Sequence, residues 1–429
     1  MSVERIIEPV ESVGPGAPSR RRVRAALLGY GRVGQAVAAL AERRAVDLHA
    51  AGIELQIAHA LVRDAGKPRQ GPRLPLTTTT DRLFDEVDVV LEMLGGIEPA
   101  RSLVTAALER GVAVVTANKS LLAACGPELR ALARHCRVPL ACEAAVVAGV
   151  PFVGALARRP LLARACRLDG ILNGTSHFIL SEMARGATFA HALRTAIQHG
   201  FAEPDSAADV DGRDAAEKLA ILLQICGWEP LDVGALPRLG IDTIEAADIR
   251  GASRLGGAIK PIALAHLDGP AAGTAWVGPA FVPADHPLAR LDGVDNALAI
   301  TGQAGERVTF AGPGAGPAIT AATMLDDAIE AVSGQRGEPL PAEATPRAMP
   351  VTVHAPEGGW FLRLGAEAQI DGPAATEWLA WRRLAALHVV HADSRVYALT
   401  IRATWPTVRD AIDAGRARGW APLAVPALD

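Results

Sequence analysis

The stretch VRAALLGYGRVGQAVAALAERRA, residues 23–45, decides the fold. It opens on a short apolar run, turns at G-Y-G-R-V-G, and continues with apolar residues at helical spacing. Strand, glycine turn and helix in that order are the context in which GxGxxG signals a dinucleotide-binding turn. Gly29 permits the tight turn, Gly31 lets the backbone approach a pyrophosphate, and Gly34 allows the helix to pack closely on the sheet. Tyr30, Arg32 and Val33 fill the positions between them, where the helix start offers unpaired N–H groups to phosphates.

Farther along, ELQIAHALVR (54–63), VDVVLEML (87–94), VAVVTAN (112–118) and VPLACEAAV (138–146) are apolar, partly β-branched runs separated by helical segments. That rhythm predicts a Rossmann-type parallel sheet covered on both faces, in an α/β chain. An acid at the end of the second strand usually bonds the ribose 2′-OH, whereas an arginine there accommodates a 2′-phosphate. The chain reads VRDAGKPR at 62–69, so Arg63, backed by Lys67 and Arg69, favours NADP, while Asp64 keeps NAD open.

A chain of 429 residues is too long for one ordinary core, and two or three domains are expected. A formal net charge of -4 gives no electrostatic case for nucleic acid and directs attention to a small-molecule ligand. No run of eighteen or more apolar residues is present, which argues against a membrane span. Five cysteines without a CxxC pair (Cys125, Cys136, Cys142, Cys166, Cys226) suit a reducing cytoplasm better than a disulfide framework. The first 21 residues carry no signal-like apolar region and read as a flexible lead-in.

The second informative stretch is GFAEPDSAADVDGRDAAEKLAIL, residues 200–222, where six acids surround a single lysine. From Asp214 the pattern is a helix that is apolar nearly all round after Lys218, so it should be buried. Asp214 and Lys218, four apart, share one face, and a buried lysine needs such a partner. Pro204 and Gly212 break the segment in front, placing Glu203, Asp205, Asp209 and Asp211 on a loop. The acid spacing is a poor match to a calcium loop. Two readings stay open here: acids that hold a substrate ammonium, or a structural ion-pair cluster that complements the helix dipole.

Seven motifs in order resemble the homoserine dehydrogenase family: GYGRVG (29–34), LGGIEPA (94–100), VTANKSLLA (115–123), EAAVVAGVP (143–151), GILNGTSHFILSEM (170–183), the 200–222 stretch, and FAGPGAGPAITA (310–321). The resemblance implies NAD(P)H-linked interconversion of L-aspartate 4-semialdehyde and L-homoserine, in the route to threonine and methionine. It implies that Lys218 is the acid/base lysine, Asp214 its carboxylate partner, and Lys119 a second lysine between cofactor and substrate. Glu203 and Asp209 would lie around the substrate, and the Asn173, Gly174, Thr175 turn would hold its carboxylate. Leu94, Gly95 and Gly316 would line the cofactor beside the glycine turn. A monovalent cation such as sodium would sit on Glu143, Val146, Ala148 and Val150. The chain departs from the family at Val147 and Ala148, where small residues are usual, and at His177, where asparagine is usual.

The resemblance also implies a domain layout. Residues 22–150 and 306–332 would form the nucleotide domain, and 151–305 an α+β substrate and dimerisation domain, in a homodimer or higher oligomer. Residues 333–355 read as a linker, rich in Pro, Gly and Glu. The tail, 356–429, alternates strand-like and helical segments and resembles an ACT domain. Its IDGPAATEW turn has Ala374 after Pro373, where the family motif has glycine.

Overall fold

The computed structural model describes residues 21–157, 167–227, 231–266, 272–333, 352–366 and 370–429. The lead-in and most of the linker expected from the sequence, with Cys166, lie outside them. Among the described residues, three sheets organise the fold.

The first sheet contains β1 (Arg21–Leu28), β2 (Ile53–Leu61), β3 (Leu76–Thr77), β4 (Val89–Glu92), β5 (Ala113–Thr116) and β6 (Leu140–Ala141). Every pair is parallel, in the order β3-β2-β1-β4-β5-β6. The chain builds outward from β1, then crosses back to β4, which opens a crevice at the carboxyl ends of β1 and β4. Val89, Val90 and Leu91 are wholly buried, as a strand covered on both faces requires. The run 138–146 proves shorter as a strand than its composition suggests. Only Leu140–Ala141 pairs, and the chain turns at Cys142 into a helical turn, Glu143–Val146.

The second sheet takes β7 (Arg167–Ile171), β8 (Gly257–His266), β9 (Ala272–Pro283), β10 (Asp295–Thr301), β11 (Arg307–Pro313) and β12 (Thr352–His354), in the order β11-β10-β7-β8-β9-β12. Two boundaries therefore differ from the sequence reading. Residues 307–313 pair with β10, so the chain returns to the first sheet only with the helix Pro317–Ser333, which packs on the helix Arg32–Arg43. Residues 352–354, expected within a linker, add a parallel edge strand to β9.

The third sheet is antiparallel, with β13 (Trp360–Ala366), β14 (Ala386–Ala392), β15 (Arg395–Thr400) and β16 (Leu423–Pro426) ordered β14-β15-β13-β16. With the helices Gly372–Trp381 and Trp405–Ala417, this makes a split β-α-β-β-α-β unit. One sheet face carries Trp360, Leu362 and Leu364 against its own helices, while Phe361, Tyr397 and Val425 pack on Phe281 and Ile179 of the preceding region. Among the described residues no helix is long and apolar enough to cross a membrane.

Candidate active site

The expected lysine helix spans Arg213–Ile225, and every residue from Lys218 to Ile225 is buried. Lys218 Nζ lies 2.8 Å from Asp214 Oδ2, one turn earlier, and donates to the Leu172 carbonyl at 2.8 Å. Leu172 follows β7 directly, and Asn173 caps the next helix, Gly174–Ala184, by accepting from the Ser176 amide at 2.7 Å. The Asn173 amide nitrogen donates to Asp209 at 2.7 Å and to Asp214 at 2.8 Å. One side chain thus caps a helix and bridges two carboxylates.

Lys119 arrives from the nucleotide half. It is the first residue of the helix Lys119–Cys136, capped by Asn118, and its Nζ is 3.2 Å from Asp214 Oδ1. Asp214 therefore holds one lysine on each oxygen. Burial alone would raise its pKa; the Lys218 ammonium, then Lys119 and the hydrogen bonds, outweigh this and hold it at about 2. Burial pulls the Lys119 pKa down, but Asp214, with Glu217 and Asp209 behind it, carries it above the ordinary lysine value. Asp209 is pushed up, chiefly by burial and by the neighbouring Asp214 charge, against the hydrogen bond from Asn173.

The acids of residues 200–222 divide into two groups. Asp209 lies on a one-turn helix, Ala207–Val210, rather than on an open loop, because Ser206 accepts from the Asp209 and Val210 amides. Asp211 turns outward to Arg213 at 2.7 Å, and Glu203 and Asp205 are exposed. Thr175 is buried, and its hydroxyl donates to the Phe201 carbonyl at 2.7 Å, tying the start of the helix Gly174–Ala184 to this segment.

The glycine turn fits a pyrophosphate. A Cβ on Gly34 would stand 2.5 Å from the Gly29 carbonyl oxygen, so only glycine allows that helix to sit there. A Cβ on Gly31 would meet nothing within 4 Å, so the turn opens to solvent where the phosphates would bind. The first turn of Arg32–Arg43 carries no acid to repel them. Leu94 and Gly95 follow β4 on the same rim, and Gly316 precedes the return helix. At the end of β2, Asp64 is engaged by the Gly66 amide at 2.8 Å, and Arg69 donates to the carbonyls of Tyr30, Lys67 and Asp64. Arg63 and Lys67 are exposed.

The residues expected to hold a cation are engaged in hydrogen bonds within the protein. Glu143 Oε1 accepts from the Phe152 and Val153 amides at 2.8 and 2.7 Å, and Oε2 from Gly154 at 2.7 Å. The Ala148 carbonyl accepts from the Thr323 hydroxyl, and that of Val150 from the Phe152 amide. The Glu143 carboxylate has become an amide cap that joins its own turn to residues 152–154, and Val146 is buried within that turn. Among the described residues no group of three or more His, Cys, Asp or Glu is placed to hold a metal ion.

His177 is wholly buried. Its Nδ1 is 2.8 Å from the Asp295 carbonyl, which can only accept, so Nδ1 carries the proton. Nε2 then faces the Lys260 ammonium at 3.4 Å. Burial, followed by the Lys260 charge, lowers its pKa to about 4. Sequence reading missed the buried trio Glu92, Thr116 and Asn118 beneath the cofactor rim. An acid ending the otherwise apolar run VVLE was the available signal.

The family model for the homoserine dehydrogenase NAD-binding domain matches residues 29–143, and that for homoserine dehydrogenase matches 151–329. A curated homoserine dehydrogenase of Corynebacterium glutamicum is 39% identical over 351 residues, covering 79% of each chain. That of Mycobacterium tuberculosis is 38% identical over 338 residues, covering 76% of each. Among solved structures, a homoserine dehydrogenase from Thiobacillus denitrificans superposes with a TM-score of 0.81 at 31% identity, covering 96% of this chain and 99% of that one. A hyperthermophilic archaeal homoserine dehydrogenase in complex with NADPH gives 0.59 at 27% identity, covering 73% and 98%. Two family models that together span most of the chain, and relatives that share one name, show that the chain belongs to the homoserine dehydrogenase family, the NAD(P)-dependent oxidoreductases that act on a CH–OH group.

Proposed function

We propose that Lys218 and Lys119 are the working groups of this enzyme, with Asp214 as the anchor that aims both. The observation that carries the reading is the single carboxylate gripping two ammonium groups, one from each half of the molecule. The nicotinamide supplies or accepts the hydride when bound. In the direction of reduction, negative charge develops on the aldehyde oxygen, and an ammonium held beside it stabilises that charge and delivers the proton. In oxidation the same amine takes the hydroxyl proton. Asp209 and Glu203 are read as the acids around the substrate ammonium, and Gly174 and Thr175 as the turn that receives its carboxylate.

NADP preference is supported by the β2 end, where Asp64 is turned to a backbone amide while Arg63 and Lys67 are exposed. The C-terminal unit is read as ACT-like from its strand order. A cytoplasmic homodimer or higher oligomer follows from the resemblance, and light scattering checks the assembly.

Steady-state oxidation of L-homoserine by the Lys218→Ala protein tests the central assignment. Turnover should fall by at least about three orders of magnitude, with NADPH affinity nearly unchanged. Retained turnover refutes it. Arg63→Ala should weaken NADPH more than NADH.

A further inference from the structure

Glu92 ends β4, wholly buried, at the crevice where the strand order turns back. The three residues before it, Val89, Val90 and Leu91, show what this strand carries when packing alone decides. A carboxylate in that place is costly to bury, and it persists only with donors around it. Those donors are the Leu94 amide at 2.9 Å, the Asn118 side-chain amide at 3.2 Å and the Thr116 hydroxyl.

The donors belong to two different pieces of the site. Leu94 opens the Leu94–Gly96 rim, where Gly95 and Gly96 both adopt positive φ, 76° and 72°. Asn118 donates from the same nitrogen to the Gly96 carbonyl at 2.7 Å, and its oxygen accepts from the Leu121 amide at 3.1 Å, capping the helix that begins at Lys119. The Thr116 hydroxyl oxygen also accepts from the Asn118 backbone amide at 3.1 Å. A continuous set of hydrogen bonds therefore runs from the cofactor rim, through Glu92 and Asn118, to the residue that places the Lys119 ammonium on Asp214.

We propose that Glu92 is a positioning residue: through Asn118 it holds the Leu94–Gly96 rim and the start of the Lys119 helix in one arrangement, so that cofactor and lysine are aligned together. This deepens the active-site reading and rests on Lys119 being a working group there. Loss of turnover in a Lys119→Ala protein tests that reading; the ratio of the Glu92 and Asn118 variants to wild type tests this one.

Three full-length variants decide the proposal, each measured for NADPH Kd by fluorescence titration, for kcat in homoserine oxidation, and for its urea unfolding midpoint. Glu92→Ala removes the acceptor for both pieces. NADPH should weaken and kcat fall, each by tenfold to about a hundredfold, the scale of an ångström-level misplacement. Glu92→Gln keeps an oxygen for Leu94 and Asn118 and an amide toward Thr116, and should recover most of both losses. Asn118→Ser keeps a good helix cap but cuts the tie to Glu92 and Gly96. It should follow Glu92→Ala in direction while its unfolding midpoint stays near that of the wild type, and it decides the matter if Glu92→Ala does not fold. Wild-type NADPH Kd and kcat in Asn118→Ser would overturn the proposal, as would a glutamine variant no better than alanine.

Discussion

Lys119 reaches Asp214 across the junction of the two halves, its Nζ 3.2 Å from the oxygen opposite the one that Lys218 holds. Removing the carboxylate should therefore release two ammonium groups at once. Asp214→Asn is expected to lower kcat by at least about a hundredfold and to cost about 3–5 kcal/mol of stability, because Lys218 is left buried without its counter-charge. Steady-state kinetics and urea unfolding check the two parts.

The same carboxylate sets an acid limit on stability. Its folded pKa, about 2, lies below the ordinary 3.8, so its contribution is complete above pH 4 and is lost as pH falls toward 2. A shift of nearly two units corresponds to about 2 kcal/mol. Unfolding free energies measured between pH 5 and pH 2.5 should fall less steeply in Asp214→Asn than in the wild type.

His177 acts at a milder pH. It is neutral in the folded protein down to about 4, against 6.5 unfolded, so its contribution is present above pH 6.5 and is lost as pH falls from there to about 4. About 2 kcal/mol should be lost between pH 7.5 and pH 5. The His177→Asn protein should lack that portion of the slope, as urea titrations at the two pH values would reveal.

Two glycines of the same turn should answer differently to alanine. At Gly31 the added methyl meets no protein atom within 4 Å, so the variant should fold with stability within about 1 kcal/mol of wild type, yet bind NADPH at least about tenfold more weakly. At Gly34 the methyl would press on the Gly29 carbonyl oxygen, and the cost of about 1–3 kcal/mol falls on folding itself. Thermal melts and fluorescence titrations separate them.

The C-terminal unit is bound to the rest by a buried ion network. Arg363 lies 2.7 Å from the wholly buried Asp248 and 3.1 Å from Glu245, which Arg395 meets at 2.7 Å, while the Tyr397 hydroxyl donates to Asp248 at 3.2 Å. Burial raises the Asp248 pKa, against the opposing pull of Arg363. Arg363→Ala should cost about 3–5 kcal/mol and split one calorimetric transition into two. A single unshifted transition would show that Phe361 stacked on Phe281 and Tyr397 suffices.

Much of the site was legible because its signals are local. The Asp214–Lys218 pair is fixed by helical periodicity, four residues apart on a helix too apolar to face water. The glycine turn is fixed by sterics within six residues. The acids before the helix were harder: Asp209, Asp211 and Glu203 look alike in sequence, and only packing sends Asp209 to Asn173, Asp211 to Arg213 and Glu203 to the surface. Residues 143–150 hide a second long-range tie, since only the fold brings the Glu143 carboxylate to the three backbone amides of residues 152–154.

By itself, then, the sequence determined the parallel sheet, the cofactor turn and the lysine helix, since hydrophobic period, glycine sterics and i, i+4 pairing act over a few residues. Only the tertiary structure decided that Lys119 shares Asp214 with Lys218, that Glu92 ties the cofactor rim to the Lys119 helix, and that residues 307–313 join the second sheet. Those are contacts between segments far apart in the chain, selected by how buried charges find partners and how strands find edges, and no local pattern encodes them.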